Sequence, residues 1–264
     1  MQVVESPYKP VAVCIPSGGM TRYLLFETSL EGLCVPDKTC IYRIASASPA
    51  KNRNDAVRLA GPEVSHFFFM DDDHHFDMDL VLRLLRWNVP VVGALVSFSK
   101  PPFHPVLFKG ETHENGRKQF VSIPWSELDG RLGLYPVFAA AGAGILVRRD
   151  VFEKIPDPWF ALGRYTADEC AEDMYFYEQC RNAGFPIYVD LDSPVGHFAP
   201  VAAWPVRRED GKWTIELMWE TGQRLRLGRS DQPMIGGMPP RQGPVVSASS
   251  PRRAAPLPMP RIGG

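Results

Sequence analysis

Residues 65–79, SHFFFMDDDHHFDMD, constrain this chain more than any other stretch. Phe67, Phe68, Phe69 and Met70 form an apolar run too short for a helix and rich in aromatics, which predicts a buried strand. That strand ends abruptly in Asp71, Asp72 and Asp73. Three carboxylates at the end of a strand repel one another, and a divalent cation with oxygen ligands relieves the repulsion. A metal-bound anion such as a diphosphate is then a natural guest. Without a metal, the same residues read as a solvated acidic turn, with Asp73 capping a helix that begins near Asp77.

The flanking sequence places this strand in a layered α/β fold. Residues 10–15 (PVAVCI), 39–44 (TCIYRI), 90–96 (PVVGALV) and 187–191 read as further strands. The first stops at Pro16-Ser17-Gly18-Gly19, a turn that leaves backbone N–H groups free for a ligand. Helices are predicted after the early strands: residues 21–30 with Thr21 as cap, a helix capped by Asn52 or Asn54 and running to Leu59, and residues 80–87. Arg53, Asn54 and Arg58 then sit at a helix start, where anions are favoured. Alternating strands and helices imply a sheet of mostly parallel strands. Residues 106–125, with a hairpin signal at Glu114-Asn115-Gly116, predict an antiparallel excursion off that sheet.

Farther on, residues 135–148 are dense with small side chains, and Gly142 and Gly144 let a backbone or ligand approach. Asp150 is expected to cap a short helix through Ile155. Glu172-Asp173 leads into an aromatic helix that stops at Gly184, and Gly196-His197-Phe198 follows the last strand. Residues 213–219 (WTIELMW) fit either a strand or a short helix.

With 264 residues, 45% of them apolar, the chain can bury one sizeable core. We expect one domain over residues 1–228 and a flexible Pro/Gly/Arg-rich tail over 229–264. The 29 basic and 30 acidic residues nearly cancel, which argues against a broad nucleic-acid footprint. No signal peptide or membrane span is indicated, so the expected location is the cytoplasm. Five cysteines without CxxC spacing read as reduced thiols, several of them core fillers.

Over residues 11–198 the order of these features resembles the nucleotide-diphospho-sugar glycosyltransferases of the GT-A fold, specifically a family-2-like pattern. The residues that carry the resemblance are VAVCIPSGG, Arg53-Asn54, a DxD motif at Asp71-Asp72-Asp73, the small-residue segment around Gly142 and Gly144, Glu172-Asp173 and Gly196-His197. The resemblance implies a Rossmann-like mixed sheet flanked by helices. It implies donor contacts from Pro16, Ser17, Arg53, Asn54, Asp71, Asp72, Gly142 and Gly144, and Mn²⁺ or Mg²⁺ held by Asp73 and His197, with Asp71 at the metal and ribose side. Asp173 would be the general base of an inverting transfer, with Glu172 beside it. The donor would be a nucleotide-diphosphate sugar; the acceptor (glycan, lipid, protein or modified nucleic acid) and the oligomeric state stay open.

Plainer readings exist for several of these residues. Glu172 and Asp173 also suit the first turn of any helix, and His197 also suits an ordinary surface histidine. His74 and His75 are taken as flanking residues, because adjacent side chains on an extended chain diverge. Trp159 is either core or an acceptor platform. Two rival functions remain: a nucleotidyltransferase, of which PSGGMTR is a partial mark, and a non-catalytic nucleotide-sugar binding module.

Overall fold

The computed structural model describes residues 1–18, 23–46, 48–112, 118–162, 171–207, 209–211, 213–219, 222 and 224–226. The expected cap Thr21, the hairpin turn at Glu114-Asn115-Gly116, Cys170 and the tail at 229–264 lie outside the described residues. The chain divides into two compact units, Met1–Ala203 with Leu217–Leu225, and Trp204–Glu216 with Arg226–Gly264.

The first unit is built on one mixed sheet. Its strands are β1 (Val11–Ser17), β2 (Cys40–Ala45), β3 (His66–Phe69), β4 (Val91–Val96), β5 (Leu134–Pro136), β6 (Ile145–Arg148) and β7 (Ile187–His197), in the spatial order β5-β7-β4-β6-β3-β1-β2. The expected parallel pairing holds for β2–β1, β1–β3 and β4–β7. Antiparallel pairs break the pattern: β5 and the short strand His74–His75 pair antiparallel with β7, and in the small-residue segment β6 inserts antiparallel between β3 and β4. Gly144 makes that insertion possible: its φ of +73° favours glycine, and an added Cβ would lie 2.9 Å from the Ala94 Cβ. Its N–H donates to the Phe69 carbonyl and its own carbonyl accepts from Ala94 N–H, each at 2.8 Å.

Side-chain alternation along β3 divides the core. Phe67 and Phe69 pack on one face against α2 (Pro49–Leu59), α5 (Arg149–Lys154) and α6 (Glu172–Asn182), while Phe68 and Met70 pack on the other against α1 (Leu24–Gly32) and α3 (Leu80–Leu85). All three phenylalanines are fully buried, each contributing about 1.5–3 kcal/mol of apolar transfer energy. The remaining helix, α4 (Trp125–Leu128), follows the expected excursion, in which Leu107–Thr112 pairs antiparallel with Lys118–Ser122 in a separate small sheet.

Several local expectations are corrected. Helix α2 is capped four residues before Asn52 and six before Asn54: Ser48 is its N-cap, its hydroxyl accepting from Lys51 N–H at 3.3 Å, and Pro49 opens the first turn. Helix α1 buries Phe26, Ser29 and Leu30 and leaves Leu24 and Leu25 exposed. Asp150 lies in the first turn of α5 and Arg148 occupies the cap position. Strand β7 continues past Leu191 to His197. Trp159 is half-buried: its indole N–H donates to the Phe152 and Ile155 carbonyls and its ring packs on Phe152. Residues 213–218 resolve as a strand, Trp213–Met218, part of which belongs to the second unit. Of the described cysteines, Cys14 and Cys180 are buried core residues and Cys34 and Cys40 are free thiols nearer the surface.

Candidate active site

Strands β1 and β3, helix α2 and the start of α6 converge on one cleft of about 190 Å³. Pro16, Ser17, Gly18, Pro49, Asn52, Arg53, Asp71, Asp72, Asp73 and Glu172 line it. Seven of the residues singled out in the sequence are therefore brought together from four separate segments. The parallel run of β1 and β3 explains the first part: both strands deliver their carboxyl ends to the same edge.

Arg53 organises the acidic wall. It is 3% exposed, its Nη2 lies 2.6 Å from Asp71 Oδ1, and its Nη1 contacts Glu172 Oε1. Gly142 admits this arrangement, because a Cβ there would stand 3.0 Å from Arg53 Nη2 and 3.2 Å from the Asp173 Cβ. Burial disfavours the guanidinium charge, but Asp71, Glu172 and Asp173 outweigh burial and raise its proton affinity.

Asp173 sits behind this pair at the first turn of α6, with Met174 N–H donating to its Oδ1 at 2.8 Å. Burial pushes its carboxyl up to about 6, Arg53 opposes the shift and Glu172 adds to it. A carboxylate with that proton affinity titrates close to neutral pH, which suits a proton acceptor.

The amide expected from Asn54 comes from Asn52 instead. Asn52 Nδ2 donates to the Ser17 carbonyl at 3.1 Å and its Oδ1 accepts from Ser46 Oγ at 2.6 Å. Asn54 points away and brackets the Phe160 backbone, donating to its carbonyl at 2.8 Å and accepting from its N–H at 3.0 Å. The Ser48-Pro49 pair carried the signal: reading it as cap and first position sets the helix phase that turns Asn52 and Arg53 toward the cleft. Ser17 completes the wall by donating its hydroxyl to Asp72 Oδ2 at 2.5 Å. Gly144 is spent on strand insertion and does not line the cleft.

At the end of the acidic row lies a second cluster. Asp73, His74 and His197 present ligand atoms that all fall within 4.8 Å of one another. Gly196 and His197 pair antiparallel with His75 and His74, and the two imidazoles stack at 4.2 Å with 22° between their planes. His197 Nε2 stands 3.3 Å from Asp73 Oδ2 and its Nδ1 lies 3.0 Å from the Ser97 carbonyl, which can only accept; in the neutral ring the proton therefore sits on Nδ1 and Nε2 is the nitrogen that would ligate a cation. Asp71 does not join this cluster, because Arg53 occupies it.

His74 is the residue the sequence reading set aside. Adjacent side chains do diverge, since His75 is exposed and bonds Ser29, but that divergence turns His74 inward, where it is 2% exposed. Its Nδ1 approaches Asp73 Oδ1 to 2.7 Å off the line of an N–H···O bond. Both nitrogens of His74 and that carboxylate oxygen are buried without a hydrogen-bond partner among the described residues. Short approach without hydrogen-bond geometry is how two ligands of one cation sit, so the residues present fit a divalent metal. Burial raises the Asp73 carboxyl, but His197 and His74 overcome it and hold the group well below the usual carboxylate range.

No protein-family model matches the sequence, and no curated protein does. Among solved structures, A197 from STIV aligns over 87% of this chain and 100% of its own, with a TM-score of 0.50 and 14% identity. GalNAc-T7, solved with UDP, GalNAc and Mn²⁺, aligns over 73% of this chain at a TM-score of 0.50 and 11% identity. The fold is GT-A-like. This chain spans 44% of the GalNAc-T7 chain, so the likeness is one of core architecture. In GT-A-like terms, the cleft at the carboxyl ends of β1 and β3 lies where an open α/β sheet places its ligand. No helix among the described residues is long and apolar enough to cross a membrane.

Proposed function

We propose that the chain is a metal-dependent glycosyltransferase that moves a sugar from a nucleotide-diphosphate donor to an acceptor hydroxyl with inversion. The observation that carries this reading is the junction of two groups of residues: Asp73, which forms a cluster with His74 and His197, lines the same cleft as Glu172, and the next residue, Asp173, is a buried carboxylate of raised proton affinity. Asp73, His74 and His197 would hold the cation, and two imidazoles with one carboxylate favour Mn²⁺ over Mg²⁺. When bound, that ion supplies Lewis-acid neutralisation of charge on the departing diphosphate.

The chain's own residues do the rest. Ser17 and Asn52 shape the donor wall together with Pro16 and Asp72, and Arg53 holds Asp71 and Glu172 at fixed positions. Asp173 takes the proton as the acceptor oxygen bonds to the anomeric carbon and the carbon–oxygen bond to the diphosphate breaks. Glu172, tied to Arg53, keeps a second negative charge beside the base.

Incubation with Mn²⁺ and a panel of nucleotide-diphosphate sugars tests the reading. The expected result is slow release of nucleoside diphosphate that stops when the metal is chelated, with an inverted anomeric product. Pyrophosphate release from nucleoside triphosphates would instead make the protein a nucleotidyltransferase, and tight binding without turnover would make it a binding module.

A further inference from the structure

We infer that Asp190 is a positioning residue for His197, acting through a bulge in β7; the inference rests on the metal-centre reading above. Strand β7 pairs in parallel with β4 from Ile187↔Val91 to Asp190↔Ala94, and then the register jumps to Pro194↔Leu95 and Val195↔Val96. Leu191, Asp192 and Ser193 are thus absorbed between two consecutive residues of β4. A strand rises about 3.3 Å per residue, so absorbing three draws the rest of β7 back by roughly 10 Å. An odd insertion also inverts which face each later side chain occupies. Both effects bear on His197, which must stop opposite His74 with its ring toward Asp73.

The bulge is held from within by a buried carboxylate. Asp190 is 2% exposed and Ser193 is fully buried. Asp190 Oδ1 accepts from Asp192 N–H at 3.1 Å and Oδ2 accepts from Ser193 Oγ at 2.7 Å. No basic side chain among the described residues forms an ion pair with Asp190, so the bulge alone satisfies this charge. Burying a carboxylate in this way is costly and calls for a structural reason. The crest is pinned from outside as well: Leu191 N–H donates to the Gly133 carbonyl at 3.0 Å, Gly133 N–H donates to Asp192 Oδ2 at 3.1 Å, and Arg83 Nη1 donates to the Asp192 carbonyl at 3.3 Å. A regular strand needs none of these bonds.

The test is a double-mutant cycle read by Mn²⁺ affinity in calorimetry, with the His197 ring nitrogen shifts of the metal-free protein as a second readout. Asp190→Ala should weaken Mn²⁺ about 10-fold or more, as loss of groups that orient a ligand does, and should move or broaden the His197 ring signals. Asp190→Asn, which can keep both bonds by accepting from Asp192 and donating to Ser193, should restore both. In a His197→Ala background Asp190→Ala should change Mn²⁺ affinity less than 2-fold. An equal loss in both backgrounds, or unchanged His197 signals, overturns the inference. If Asp190→Ala does not fold, Ser193→Ala takes its place with the same expected direction. If His197→Ala leaves Mn²⁺ binding intact, the metal reading fails while the ring signals still decide the positioning role.

Discussion

Asp173→Asn should reduce transfer by about 10²–10⁴-fold while making the folded protein more stable above pH 6. The two effects share one cause. Burial raises the Asp173 carboxyl from 3.8 to about 6, so the folded state binds a proton more tightly than the unfolded chain does. The sign follows from linkage: the group costs nothing below about pH 4, its penalty grows as pH rises through 6, and the penalty is full at pH 7 and above. Asparagine keeps the side-chain oxygen that accepts from Met174 N–H and removes the charge. The gain at pH 7.5 should be on the order of 1–3 kcal/mol and should vanish near pH 4. In the parent protein, activity should fall below pH 6 as the base is protonated. Thermal melts across pH together with turnover check this. Near-normal turnover, or a stability loss at pH 7.5, would leave Asp173 as a helix-start carboxylate and no more.

Replacing Arg53 acts in the opposite direction on stability. Arg53→Met keeps the bulk beneath Gly142 but strips the counter-charge from Asp71, Glu172 and Asp173. Removing one partner of a buried ion pair typically costs about 3–5 kcal/mol. Arg53 opposes the upward shift of the Asp173 carboxyl, so without the guanidinium that carboxyl binds its proton still more tightly in the folded state. The loss should therefore be largest at pH 7–8 and shrink as pH falls toward 5. Denaturant melts at both pH values measure it. A pH-independent loss under about 1 kcal/mol would mean that Arg53 serves only as packing.

What the sequence revealed and what it concealed divide along physical lines. Strand β3 and its three aspartates were legible because a short aromatic run next to acid has few other solutions. The cleft residues Pro16, Ser17, Arg53, Asp71, Asp72, Asp73 and Glu172 were named by the family resemblance, and the fold brings them together because each lies near the end of a strand or in the first turns of a helix. Choosing Asn54 over Asn52 failed because helix phase depends on which residue caps, and the Ser48-Pro49 signal was passed over. His74 was set aside because strand alternation says that one neighbour of a pair faces away without saying which. Strand β6 was hidden for a different reason: its antiparallel insertion depends on the positive φ of Gly144 and on contacts with Phe69 and Ala94 far away in sequence. The bulge of β7 left no sequence mark, since only pairing with β4 defines it.

The central claim is that Asp73, His74 and His197 form one cation site that serves a nucleotide diphosphate. Calorimetric titration of Mn²⁺, followed by UDP, into the parent protein, Asp73→Ala and His74→Ala tests it most directly. We predict a single Mn²⁺ site in the parent, UDP binding that tightens when Mn²⁺ is present, and at least a 10-fold loss of Mn²⁺ affinity in each variant, in which UDP no longer responds to the metal. Mn²⁺ affinity and metal-dependent UDP binding unchanged in Asp73→Ala would contradict the account.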